Sequence, residues 1–133
     1  MITLDTSGLF ALLNRADPDH IAALAVLDRE APPLLVPAGI LGEVGDLVER
    51  RLGHRVLDRL LADLEEGAFT LDCGDADMAR VRALAERYQD LPLGFADAAV
   101  VACAERSGGR VLTLDRRDFD VVARDVALTV LPA

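Results

Sequence analysis

The chain has 133 residues, of which 52% are hydrophobic, and a formal net charge of −9. That length and apolar content suit one compact domain over residues 1–133, and no apolar run approaches the ~18 residues a membrane span needs. All 14 basic residues are arginine; the lack of lysine speaks against a phosphate-binding P-loop, a Schiff-base enzyme and a receiver domain, and the acidity against a simple nucleic-acid-binding module.

In chain order, short apolar runs alternate with longer amphipathic segments, the pattern of an α/β fold with a mostly parallel sheet of about five strands between layers of helices. Ile2 to Leu4 reads as a strand, with Thr6-Ser7 capping a helix through Phe10 and Leu13. Asp17-Pro18-Asp19 starts a second helix with Ile21, Leu24, Ala25 and Leu27 inward. Leu34-Leu35-Val36 is a strand, and Pro37 suits the first position of a helix reaching about Leu52. Gly53 ends it. A helix over Arg55 to Glu66 follows, then a strand over Phe69-Thr70-Leu71 and a helix from Asp75 to Arg87. Pro92 and Gly94 read as a loop, and Phe95 to Ala104 as a buried helix. Gly108-Gly109 stops that helix before strands over Val111 to Leu114 and Leu128 to Leu131. Met1-Ile2-Thr3-Leu4-Asp5 lacks the basic start and long apolar middle of a secretory signal. Cys73 and Cys103 are too few for a disulfide framework and lack zinc-ligand spacing. A reduced, cytoplasmic protein is the expectation.

Thr-Leu-Asp occurs at residues 3–5, 70–72 and 113–115, each time near the end of a strand. In an open parallel sheet that is the edge where ligands bind, so Asp5, Asp72 and Asp115 all qualify as site residues. Aspartate also favours strand ends and turns for purely local reasons. Asp97 is more informative. It lies in the first turn of a helix, and Val100, Val101 and Ala104 share its face, so its carboxylate overlies an apolar stripe. A helix N-terminus explains an exposed acid; it does not explain one aimed along the buried side without a neutralising partner. Glu43 borders the stripe of Ile40, Leu41, Val44, Leu47, Val48 and Leu52. Gly39, Gly42 and Gly45 on that helix each cost roughly 1 kcal/mol in propensity, which fits either close packing of another element or drift.

Converging carboxylates suit phosphodiester cleavage, which needs a nucleophilic water, charge neutralisation and help for the leaving oxygen. Divalent cations held by oxygen ligands provide all three. Mg²⁺, with Mn²⁺ as an alternative, matches such donors, whereas zinc prefers histidine or cysteine.

Over essentially its whole length the chain resembles PIN-domain proteins, and among them the VapC-type toxins of bacterial toxin–antitoxin pairs. The resemblance rests on Asp5-Thr6-Ser7-Gly8-Leu9, on Glu43 within Val36-Pro37-Ala38-Gly39-Ile40-Leu41-Gly42-Glu43-Val44, on Asp97 within Leu93-Gly94-Phe95-Ala96-Asp97-Ala98, and on Leu112-Thr113-Leu114-Asp115-Arg116-Arg117-Asp118-Phe119. It implies a PIN-like three-layer fold and Mg²⁺-dependent endoribonuclease activity through a metal-activated water. It also implies an RNA substrate, a cognate antitoxin that blocks the site, and homodimers joined with antitoxin into larger complexes. Carried over by motif, Asp5, Glu43, Asp97 and Asp115 are the catalytic acids, and Asp5 and Asp97 the direct metal ligands. Thr6, Ser7 and Thr113 match hydroxyl positions near the site. Asp72 has no counterpart, and Ala38 departs from the hydroxyl that relatives often place there.

Among the remaining residues, Asp118 is read as a turn or cap residue, or else a supporting ligand. Arg116 and Arg117 are divided between phosphate contact and plain surface charge. Arg50, Arg51, Arg55 and Arg59 surround one helix break and read as helix-end charges rather than an RNA-guiding patch. His20 and His54 read as surface residues; Asp17, Asp19, Asp75 and Asp77 as helix-start acids. With four Phe and one Tyr, a stacking platform for bases is not expected. The alternatives are a catalytically silent module of the same fold that binds a partner protein, and a small phosphatase of another α/β fold. One common phosphatase pattern needs a second acid where this chain has Ser7.

Overall fold

A computed structural model describes every residue except Pro92, so the expected loop position of Pro92 lies outside the described residues. The elements run β1 (Ile2–Leu4), α1 (Thr6–Leu13), α2 (His20–Leu27), β2 (Leu34–Pro37), α3 (Ala38–Leu52), α4 (His54–Glu66), β3 (Thr70–Asp72), α5 (Met78–Arg87), α6 (Gly94–Arg106), β4 (Arg110–Leu112), α7 (Arg116–Val122) and β5 (Thr129–Leu131). The strands form one parallel sheet in the order β3-β2-β1-β4-β5, flanked by the helices as the alternating pattern requires. No helix among the described residues is long and apolar enough to cross a membrane.

The chain winds outward from β1 to β2 and β3, then returns to place β4 on the other side of β1. The crevice beyond the C-terminal ends of β1 and β4 is therefore the topological switch point of the sheet, where open α/β folds bind ligands. The strands next to it are buried completely: Ile2, Leu4, Val111 and Leu112 are all solvent-free. The helix α6 lies across β1, β2 and β4, and its Ala98, Val100, Val101 and Ala104 are equally buried. Small side chains let this helix sit close to the sheet, and its first turn then overhangs the switch point.

Some local expectations change. The cap of α1 is Asp5, not Thr6-Ser7: the Asp5 carboxylate accepts the Gly8 N–H at 2.7 Å. Pro37 ends β2 and caps α3 from outside, with ψ at 135°, instead of opening the helix. The buried residue of α2 is Ala23, while Ile21, Leu24 and Ala25 face solvent; a short, uniformly apolar helix has no periodicity to reveal its inner side. The segment 75–87 divides into a 3₁₀ turn over Asp75–Asp77 and α5. The helix α7 is an addition, since only Phe119 and Val122 of its Arg-Arg-Asp-Phe-Asp-Val-Val stretch are buried.

Candidate active site

The pairing Leu4↔Leu112 between β1 and β4, continued one residue, sets Asp5 beside Thr113. The Asp5 N–H reaches Leu112 O at 3.2 Å. Asp5 is only 4% exposed, and a carboxylate so buried needs donors. It has them. The Thr113 hydroxyl donates at 2.5 Å, the Ser7 hydroxyl at 2.9 Å and the Gly8 N–H at 2.7 Å. Ser7 also accepts the Leu114 N–H at 3.0 Å, and Thr113 accepts the Asp115 N–H at 3.1 Å. The two hydroxyls thus stitch the turn after β1 to the turn after β4 while holding the Asp5 carboxylate in one orientation. Burial nevertheless outweighs these donors, with a further push from Asp115, and raises the Asp5 pKa to about 6.

Asp97 enters from the first turn of α6. Glu43 comes from α3, whose Gly39 lies one turn earlier and packs against α6: a Cβ on Gly39 would meet the Ala99 Cβ at 2.8 Å. Asp115 precedes α7, and its side chain makes no capping bond. Asp5, Glu43, Asp97 and Asp115 line one open cleft of about 350 Å³, together with Thr6 and Ser7. Desolvation raises the Asp97 pKa to about 7, and the charges of Asp5, Asp115, Asp118 and Glu43 add to the rise. Mutual repulsion of this kind requires the acids to be close neighbours in space. Asp118 thus stands near the site without lining the cleft.

The cleft also contains residues whose sequence context suggests surface roles. Asp17 and Asp19, read as helix-start acids, line it, and so does Arg51. Among the described residues Arg51 is the only basic side chain on its walls. A turn of the Asp-Pro-Asp type gives no sign of facing a strand end elsewhere in the chain, so no local signal marks these residues. Arg116 proves structural: its guanidinium binds Asp120 at 3.1 Å and the Pro132 carbonyl, fastening α7 to the segment after β5. Asp72 stands apart, held by Arg106 through bonds of 2.7 and 3.1 Å.

The donor set on the cleft walls is oxygen only, with neither histidine nor cysteine. That chemistry, and the like-charge strain on Asp97, fit a hard divalent cation such as Mg²⁺ or Mn²⁺. The acids stand along the walls of an open cleft: among the described residues, no three are already gathered as a closed ligand set. At about 350 Å³ the cleft has room for a phosphate group along with several waters, each taking roughly 30 Å³.

The family model for the PIN domain matches residues 2–125. The chain belongs to the PIN-domain family. It is 38% identical over 121 residues to Ribonuclease VapC26 of Mycobacterium tuberculosis, a match covering 90% of both chains. Among solved structures it is similar to VapC20 of the same organism, described as a sarcin-ricin loop cleaving toxin, with a TM-score of 0.79 and 24% identity over 91% of this chain and 95% of that one. FitAcB from Neisseria gonorrhoeae superposes with a TM-score of 0.63 at 23% identity, covering 98% of this chain and 96% of the other. The two structural likenesses, over 91% and 98% of this chain, agree with the PIN-like fold expected from the motifs.

Proposed function

We propose that this PIN-domain chain is an Mg²⁺-dependent endoribonuclease toxin, neutralised by a cognate antitoxin. The observation that carries the reading is the cleft at the β1/β4 switch point, where Asp5, Glu43, Asp97 and Asp115 share one wall system and their mutual repulsion helps raise the pKa values of Asp5 and Asp97. The name of the relative VapC26, a ribonuclease, supports RNA as the substrate, and the toxin description of VapC20 supports the biological role. An antitoxin partner and a homodimeric assembly are what the likeness to VapC-type motifs implies.

In this reading Asp5 and Asp97 hold the cation directly, with Glu43 and Asp115 completing its surroundings. When bound, a divalent cation supplies Lewis acidity and charge neutralisation at the phosphate. The chain's own contribution is positional. Thr113, Ser7 and the Gly8 N–H fix the orientation of the Asp5 carboxylate at the wall of the cleft. In the same reading Glu43 and Asp115, both exposed, accept a proton from an attacking water or hold that water in line. Burial of Asp5 and Asp97 lowers the local dielectric and strengthens each of these interactions.

The test is cleavage of RNA with Mg²⁺ or with EDTA, for the unsubstituted protein, Asp5→Ala and Asp97→Asn. Loss of metal or of either acid should lower the rate by about 10²-fold or more. Equal cleavage in all samples would overturn the assignment. A silent, partner-binding module predicts no cleavage in any of them.

A further inference from the structure

A second groove of opposite character is lined by chain neighbours of residues in the acidic cleft. Asp17, Asp19 and Arg51 line the first; their near neighbours in the chain, Arg15, His20 and Arg55, line the second along with Arg59. The loop from α1 to α2 and the end of α3 contribute residues to both. Around the catalytic end stand six acids and a single arginine. The second groove, of about 580 Å³, is lined by three arginines and by no acid.

In a chain with 23 acids and 14 arginines, a groove free of carboxylates is a pronounced separation of charge. Most of its cations are also uncommitted. Arg59 pairs with Asp63, but among the described residues Arg15, Arg51 and Arg55 form no ion pair. All three are exposed. Arg55 and Arg59, four apart on α4, share one helix face. The break at Gly53, whose φ of 89° suits glycine alone, turns the chain between Arg51 and Arg55. It sets the two arginines in successive clefts.

We infer that this groove is the RNA track: phosphates of the substrate on one side of the scissile bond lie along Arg51, Arg15 and Arg55, which orient the strand as it enters the acidic cleft. The inference rests on the ribonuclease reading and assigns its substrate a path. A polyanion is the occupant because the groove offers flexible cations without a single acid, so a peptide's own basic groups would find no partner there. The acids at the other end would repel RNA by themselves; cations at Arg51 and beyond hold the flanking phosphates against that repulsion. The apolar floor of Leu13, Leu52 and Val56 gives ribose and base edges a surface to lie on.

The experiment measures binding of a short single-stranded RNA to full-length Asp97→Asn protein over a range of salt. Into that background go Arg15→Gln, Arg55→Gln, Arg55→Lys and, as a distant control, Arg82→Gln. Each glutamine variant in the groove should weaken binding about tenfold at low salt. The slope of log affinity against log salt should flatten by about 0.7 for each phosphate no longer neutralised. Arg55→Lys should recover most of the affinity, and Arg82→Gln should change neither quantity. Affinity and slope unaffected by Arg15→Gln and Arg55→Gln would refute the track while leaving the ribonuclease reading intact. No RNA binding by the parent protein would refute both. If a partner protein lost affinity to these substitutions while RNA did not, the groove would be a protein-docking surface instead.

Discussion

Asp5 is held by more donors than any other carboxylate at the site, yet it stays partly protonated near neutrality because burial dominates. Asp97 is pushed further, to about 7. Both pKa values lie above those of the unfolded chain, near 4, so between these limits the folded protein binds more protons. Without metal these two groups should therefore add stability at low pH that is lost as pH rises through about 6 to 7. Thermal melts in EDTA should show the decline. Asp97→Asn should remove much of it and stabilise the protein at pH 8 by roughly 2 kcal/mol, a figure discounted for solvent screening in the open cleft; a flat or rising profile contradicts the charge crowding. Thr113→Val deletes the shortest donor to Asp5 and should cost about 1–2 kcal/mol. It should also move the acid limb of the pH–rate profile upward, since the Asp5 carboxylate loses support.

At the scale of elements, the site depends on how closely α1, α3 and α6 approach. A Cβ on Gly8 would lie 2.4 Å from the Leu112 carbonyl oxygen, so only glycine lets α1 start directly over β4. Gly8→Ala should destabilise by about 3 kcal/mol or more, as strain at a rigid backbone contact does, and should displace Asp5 from Thr113. Of the three glycines in α3, Gly39 serves close packing against α6, whereas a Cβ added at Gly42 would meet nothing within 4 Å. Gly42→Ala should accordingly gain about 1 kcal/mol from helix propensity and raise the melting temperature by a few degrees. Opposite signs for Gly8→Ala and Gly42→Ala, read by denaturant melts, are the check. Much of the element order is legible from apolar runs, because buried strands and long helices announce themselves by length and periodicity. The inner side of α2 is not, since a helix of eight mostly apolar residues looks the same from every direction.

The whole molecule carries a net charge of −9, and its carboxylates are unevenly spread, with six at one cleft. Binding of a divalent cation there should stabilise the fold by mass action, about 2.7 kcal/mol at a hundredfold excess over Kd. Below about pH 7 it should also displace protons from Asp97 and Asp5. Titrating Mg²⁺ into weakly buffered protein at pH 6.5 should release protons and raise the melting temperature, and EDTA should reverse both. Absence of either response would remove Asp5 and Asp97 as metal ligands. The same unevenness separates this acid-rich end from the arginine groove beside it, a division of labour that net charge alone conceals.

Asp97, and less sharply Glu43, stand out in the chain through helix neighbours that betray their direction, whereas Asp5 and Asp115 share their strand-end setting with Asp72 and are separated from it by the resemblance to PIN-domain motifs. The alternation of apolar runs likewise determined a parallel α/β domain. What local pattern could not decide is which of three Thr-Leu-Asp repeats would meet. Asp5 and Thr113 join because β1 and β4 are neighbours in register, while Asp72, at the far edge, is claimed by Arg106. Asp17, Asp19 and Arg51 came to the cleft in the same way, through the packing of segments distant in the chain. Side-chain direction within one element follows from its own periodicity, but convergence depends on strand order and helix crossing, which only the packed sheet supplies.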